Sequence, residues 1–194
     1  MIGLSNNKEF LRMSIFFLWL INISGFFGIL SDQNEFFLST TPYVLSLTLL
    51  LLILNHDLSD KKSIIGLMLI FLFGLIVEIL GVNYGLFFGE YSYGANLGPK
   101  IYEVPYVIGF NWVLLIIATG SISDKLIKGK EIYKILFGSF LMVLVDLLIE
   151  KSAPKLDFWE FLISPVPFSN YLWWFIFSIC FQYIFFRTVK TKEY

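Results

Sequence analysis

The sequence is poor in charge, cysteine and histidine. Only 15% of its 194 residues are Asp, Glu, Lys or Arg, against about a quarter in a soluble domain. The net charge of −1 says nothing about nucleic acid, and no basic block is present to track a phosphate backbone, so no nucleic-acid partner is expected. One cysteine, Cys180, excludes an internal disulfide and a cysteine-based zinc site. One histidine, His56, excludes a multi-histidine di-iron centre, and with it the iron-dependent membrane desaturases and hydroxylases. No strand–GxGxxG–helix unit occurs, so a flavin or nicotinamide domain is not supported. The expectation is a protein without metal or cofactor.

What is present is apolar and aromatic. Hydrophobic residues make up 57% of the chain, 22 of them phenylalanine, and the mean hydropathy is +0.77. These values read as an all-α integral membrane protein, one transmembrane helical domain over 1–194. Apolar runs at roughly 13–30, 36–54, 63–81, 104–123, 132–150 and 168–187 are each close to the ~20 residues that cross a bilayer. Backbone in lipid must satisfy its own hydrogen bonds, so the runs are expected to be helices in a bundle of about six. Lys8 and Arg12 precede the first run, which is as long as a span and lacks a small-residue cleavage site. It therefore reads as a helix rather than a cleaved signal.

Positive charge sets the expected orientation. With six spans, eleven of the basic residues fall on the side of the N-terminus, the second and fourth loops and the C-terminus, Lys190 and Lys192 included. Three (Lys100, Lys151, Lys155) fall on the other. Both termini are then cytoplasmic. The loop after the third span (82–103) and the loop after the fifth (151–167) share the outer side.

The carboxylates are concentrated there. Glu78 lies near the outer end of the third span, where it is either a functional group or a helix end reaching the interface. Asp146 and Glu150 are four apart and share a helix face. Two such acids repel when both ionise, which favours one keeping a proton for general-acid work. The alternatives are an interhelical hydrogen bond or a salt bridge to Lys151 or Lys155. Glu90 sits in "GVNYGLFFGEYSYGANLGPK" (81–100), among Phe87, Phe88, Tyr91 and Tyr93. The spacing of Gly81, Gly85 and Gly89 is that of a close helix–helix contact. The glycines continue out of register to Gly94 and Gly98, however, and Asn83, Asn96 and Pro99 interrupt any lipid-facing helix. Irregular backbone at this depth fits a cavity lining. Asn111 and Trp112 follow "VPYVIGF", and Asp157 and Trp159 lie in the outer loop. Acids in a loop are usually just solvated.

Other signals carry less. Asp57 and Asp60 in "NHDLSDKK" are a weak metal–diphosphate pattern without a second acidic motif on their side, since "SDK" at 123–125 is too little. His56 reads as a loop residue, and Cys180 as span packing. Tyr171, Trp173 and Trp174 read as an interfacial aromatic belt.

The block "EILGVNYGLFFGEYSYGANLGPKIYEVPYVIGFNW" (78–112), followed by "DLLIEKSAPKLDFWEF" (146–161), resembles the membrane-embedded carotenoid 1,2-hydratase family. The resemblance covers about half the chain. It rests on Glu78, Gly81, Asn83, Gly85, Gly89, Glu90, Tyr91, Tyr93, Asn111, Trp112, Asp146, Glu150, Asp157 and Trp159, among others. One departure is Lys151, where the family pattern has proline after the acid; Pro154 follows further on.

The resemblance implies addition of water across the terminal C1=C2 double bond of an acyclic carotenoid end, as in lycopene, gamma-carotene or a related polyene. It implies Glu78, Glu90 or Asp146 as proton donor and Glu150 or Asp157 as holder of the water. Asn83 and Asn111 would orient polar groups, and Tyr84, Tyr91, Tyr93, Trp112 and Trp159 would bind substrate. The partners are then a membrane-dissolved carotenoid, the lipid bilayer and other carotenoid biosynthesis enzymes, in the inner (cytoplasmic) membrane of a bacterial cell. Two alternatives remain open. One is a small membrane-type carotenoid end-group cyclase, in which a neighbouring double bond captures the cation. The other is a non-enzymatic carotenoid or lipid carrier.

Overall fold

The computed structural model describes residues 8–56 and 60–189. Asp57, Lys190 and Lys192 of the sequence reading lie outside them. The described chain is mostly helical. Helix α1 spans Lys8–Ile29, α2 Asn34–Ser39, α3 Thr41–Asn55, α4 Lys61–Tyr84, α5 Tyr106–Leu126, α6 Glu131–Ile149 and α7 Phe168–Thr188. Among the described residues four helices, α1, α4, α5 and α6, are long and apolar enough to cross a membrane. Helix α3 is apolar but has 15 residues. Helix α7 has 21 and buries the polar Asn170, Ser178 and Gln182.

The second apolar run is not one helix but two, α2 and α3. Pro42 sits in the first turn of α3, where its missing N–H costs nothing; deeper in a continuous helix its ring would clash with the preceding turn. Helix α4 starts at Asp60, whose carboxylate accepts from Lys62 N at 3.0 Å, an N-cap that satisfies an otherwise orphaned donor. The second aspartate of "NHDLSDKK" is thus a helix cap. In the "SDK" segment, Asp124 pairs with Lys134 at 2.6 Å. His56 is buried at the end of α3, where its Nδ1 meets the Leu52 carbonyl oxygen at 2.9 Å. Cys180 is exposed on α7.

Helix α5 is central, packing on α3, α4, α6 and α7, whereas α1 packs chiefly on α2 and α3. The core cluster runs through α4, α5 and α7 with Ile70, Trp112, Ile116, Phe181 and Phe185. Helix α4 ends at Gly85, which takes the left-handed conformation at φ 63°, as helix-terminating glycines do. The glycine spacing 81–85–89 therefore does not continue as a helix contact; Gly89 is already in the loop, at φ 101°.

The loops after α4 and α6 contain strands that the all-helical expectation did not include. Strand β1 (Tyr91–Tyr93) pairs antiparallel with β4 (Trp159–Phe161), placing Tyr91 opposite Phe161, Ser92 opposite Glu160 and Tyr93 opposite Trp159. Strands β2 (Lys100–Ile101) and β3 (Val104–Pro105) form a hairpin that turns on Tyr102 and Glu103, both at positive φ, as a two-residue hairpin turn requires. Further bonds join the two loops. Gly94 N donates to the Phe158 carbonyl at 3.0 Å and Leu162 N to the Glu90 carbonyl at 3.0 Å. Asn96 Nδ2 donates to the Leu156 carbonyl at 3.0 Å.

Candidate active site

The floor of the site is built on α4. Glu78 has Gly74 four residues before it and Gly81 three after, so all three share a helix face. A methyl group on Gly74 would meet Trp112 at 2.9 Å, and one on Gly81 would meet Phe88 at 2.8 Å and the Tyr91 hydroxyl at 2.9 Å. The missing side chains are the space that lets aromatic groups reach the acid between them. Trp112 Nε1 donates to Glu78 Oε1 at 3.0 Å. The Tyr91 and Tyr93 hydroxyls both donate to Oε2, at 2.6 Å and 2.7 Å. Glu78 is 3% exposed, and three donors converge on it, an arrangement matched to an acceptor-only carboxylate.

The alternation of a strand supplies two of those donors. Tyr91 and Tyr93 face inward and Ser92 outward, the period-two pattern of a pleated strand. Burial, and after it the nearby Glu78 carboxylate, hold the Tyr91 and Tyr93 hydroxyls protonated well above the usual tyrosine range. Both therefore remain donors.

The opposite wall comes from α6 and α7. Asp146 is 2% exposed, and its Oδ2 accepts from Asn170 Nδ2 at 2.8 Å. Glu150, one turn on, caps α6, and its Oε1 accepts from Trp159 Nε1 at 3.2 Å. The Glu150 carboxyl is raised above the usual glutamate range by burial, with the Trp159 bond opposing. Its partner is an indole rather than Lys151 or Lys155. Asp146 is held by an interhelical hydrogen bond, one of the two plain readings of its sequence position.

Between these walls lies a cavity of about 30 Å³. Glu78, Asp146 and Glu150 all line it, with Asn111 and Asn170 as further polar groups. Tyr91, Tyr93, Trp112, Trp159 and Trp174 are its aromatic walls, and Phe88 and Phe161 close it. A space of this size holds roughly two to three waters, at about 10–15 Å³ of probe volume for each. Among the described residues no group of three or more His, Cys, Asp or Glu is placed to hold a metal ion.

Four sequence candidates stand outside the cavity lining. Glu90 is exposed. Asp157 is exposed and accepts from Ala95 N at 2.8 Å, so it fastens one loop to the other. Asn83 is exposed and donates to the Ile79 and Tyr102 carbonyls, tying the β2–β3 hairpin to α4. Tyr84 is 71% exposed. Conversely, Phe88, Ile108, Ile149, Phe161, Asn170 and Trp174 line the cavity without having been sequence candidates. Asn170 carried a usable signal, a lone amide early in an apolar run. Trp174 is not a belt residue: it stacks on Trp112 with ring centroids 4.4 Å apart. Trp173 packs on Phe87 and Phe177.

A family model described as "Carotenoid biosynthesis protein" matches residues 39–194. The chain belongs to this carotenoid biosynthesis protein family. The match takes in every residue of the cavity and leaves out α1. Within the curated proteins, the chain is 26% identical over 157 residues to bisanhydrobacterioruberin hydratase of Haloarcula japonica, covering 76% of this chain and 53% of that protein. The chain thus spans about half the length of the curated relative it matches. No solved structure matches it.

Proposed function

We propose that this family member hydrates the terminal C1=C2 double bond of an acyclic carotenoid end group, without a cofactor, in the cell membrane with both termini cytoplasmic. The observation that carries the reading is the cavity, in which three carboxyl groups and two carboxamides face a water-sized space walled by aromatic rings. The family and the hydratase relative support the substrate class and the reaction type.

The chemistry needs an acid, a cation stabiliser and a held water. Asp146, with a single side-chain hydrogen bond, is the proton donor to C2. The C2–H bond forms with the alkene electron pair, leaving a tertiary cation at C1. Glu78, fixed by three donors, supplies the negative charge facing that cation, and the stacked faces of Trp112 and Trp174 add to it. Water held by Glu150 and Asn111 attacks C1. Glu150 takes the proton released, and burial raises its proton affinity in the direction a base needs. A proton returned to Asp146 closes the cycle, so the net change is addition of one water. A cyclase must keep water from the same cation, which a polar, water-sized cavity does poorly. This supports the hydratase reading, and the product decides between the two.

The test is product analysis in a bacterial host accumulating lycopene, repeated with a monocyclic precursor. Hydration gives a pigment heavier by one water with its chromophore unchanged. An isomer of unchanged mass overturns the reading in favour of cyclisation. Unchanged pigments with both substrates overturn it in favour of a carrier.

A further inference from the structure

A second pocket lies against the acid cavity, and the two share a wall. This pocket has a volume of about 250 Å³ and is lined by Ser92, Gly94, Pro154, Asp157 and Glu160, together with Tyr93 and Trp159. Ser92, Pro154, Asp157 and Glu160 are exposed, so it opens at the loop surface. Its lining is polar where the acid cavity's walls are aromatic. Tyr93 and Trp159 line both spaces.

We infer that the surface pocket is an aqueous vestibule that supplies water to the acid cavity, with the Tyr93–Trp159 pair as the partition through which it passes. The two residues are direct cross-strand partners, with ring centroids 6.3 Å apart at 70°. Each is latched to an acid on the cavity side, Tyr93 to Glu78 at 2.7 Å and Trp159 to Glu150 at 3.2 Å. The latches are unequal. Tyr93 is buried, and its carbonyl is held by Lys100 Nζ at 2.6 Å. Trp159 is half-buried, and its latch is long for a hydrogen bond. Trp159 is therefore the moving leaf and Tyr93 the post.

The inference rests on the hydration reading for its purpose. A hydratase consumes one water per turnover, and on that reading the polyene end would reach the cavity from the lipid. Refilling then has to come from the loop side. The latch also links refilling to chemistry, because Glu150 holds both the water and the door.

The experiment reads solvent access rather than turnover. In full-length protein in lipid nanodiscs, Cys180→Ala removes the native thiol. A single cysteine is then placed either in the vestibule (Ser92→Cys) or in the cavity wall (Ile149→Cys, a lining residue). Each is challenged with a small, positively charged methanethiosulfonate. Ser92→Cys should react fast whatever stands at 159. Ile149→Cys should react slowly with Trp159 present and about tenfold faster with Trp159→Ala, the factor expected when a hydrogen-bonded latch is lost. Trp159→Phe, which keeps a ring but drops the indole N–H, should give a smaller increase and serves if the alanine variant does not fold. An unreactive Ser92→Cys, or an Ile149→Cys rate indifferent to residue 159, overturns the proposal. Labelling needs no carotenoid, so failure of the hydration reading leaves these rates unchanged and is read separately from the pigments.

Discussion

The five candidate carboxylates lie at one end of this molecule, and the structure divides them into two sets. Glu78, Asp146 and Glu150 come from helix ends and meet around one cavity. Glu90 and Asp157 come from the loops above and face outward. In the sequence all five look alike, as acids in a hydrophobic protein beside aromatic residues. The difference is what each side chain touches. The first set is held by indole, phenol and amide donors inside the bundle, whereas Asp157 is held by a backbone amide of the neighbouring loop. Acids on helix ends inherit the bundle's interior, and acids on a stitched loop become fasteners.

Substitutions test that division. The largest effect is expected from Asp146→Asn, which keeps the shape and removes the proton. Hydration should fall by about 10²–10⁴, the worth of a general acid, with the variant still folded by thermal melt. Retained activity would move the donor role elsewhere. Next is Glu78→Gln. An amide cannot accept at its nitrogen, so one of the Tyr91, Tyr93 and Trp112 donors loses its acceptor. The melting temperature should fall by an amount matching about 1–3 kcal/mol for a buried unsatisfied group, and turnover should fall with it.

Glu150→Gln should show its effect in pH dependence. Burial raises the Glu150 carboxyl above its ordinary 4.5, so the folded state binds the proton more tightly than the unfolded one. Its ionisation therefore costs the native protein stability as pH rises from 4.5 through the raised value. The glutamine variant should match the parent in acid and gain relative stability across that window in melts at stepped pH. As the water-accepting base it should also lose the alkaline-rising limb of the activity profile. The smallest effects belong to the outward set. Asp157→Asn should cost about 1 kcal/mol through one weakened loop bond with hydration retained, and Glu90→Gln should leave both stability and product unchanged. A large catalytic loss in either would erase the distinction between the two sets.

Much of this was legible in the chain. The helical runs, the concentration of acids at one end and the gathering of the 82–103 and 151–167 segments at one site all follow from hydropathy, spacing and charge. Two physical facts hid the rest. Strands three residues long give no periodic signal, so β1 and β4 were not foreseen, although they turn Tyr91, Tyr93 and Trp159 toward the acids. A tryptophan near a helix end reads as an interface anchor whether it faces lipid or a neighbour, so Trp174 was misplaced. Pro42 did announce the break between α2 and α3, but the surrounding hydropathy masked it.

The sequence by itself determined that this is a helical membrane protein and which residue types would gather at one end of it. Low charge, long apolar runs and local glycine chemistry act over a few residues and do not depend on partners. Only the tertiary structure decided which acids share a cavity. That depends on Gly74 and Gly81 leaving room for Trp112, Phe88 and Tyr91, and on Asn170 reaching Asp146 from another helix. Such contacts join residues far apart in the chain, and no local pattern encodes them.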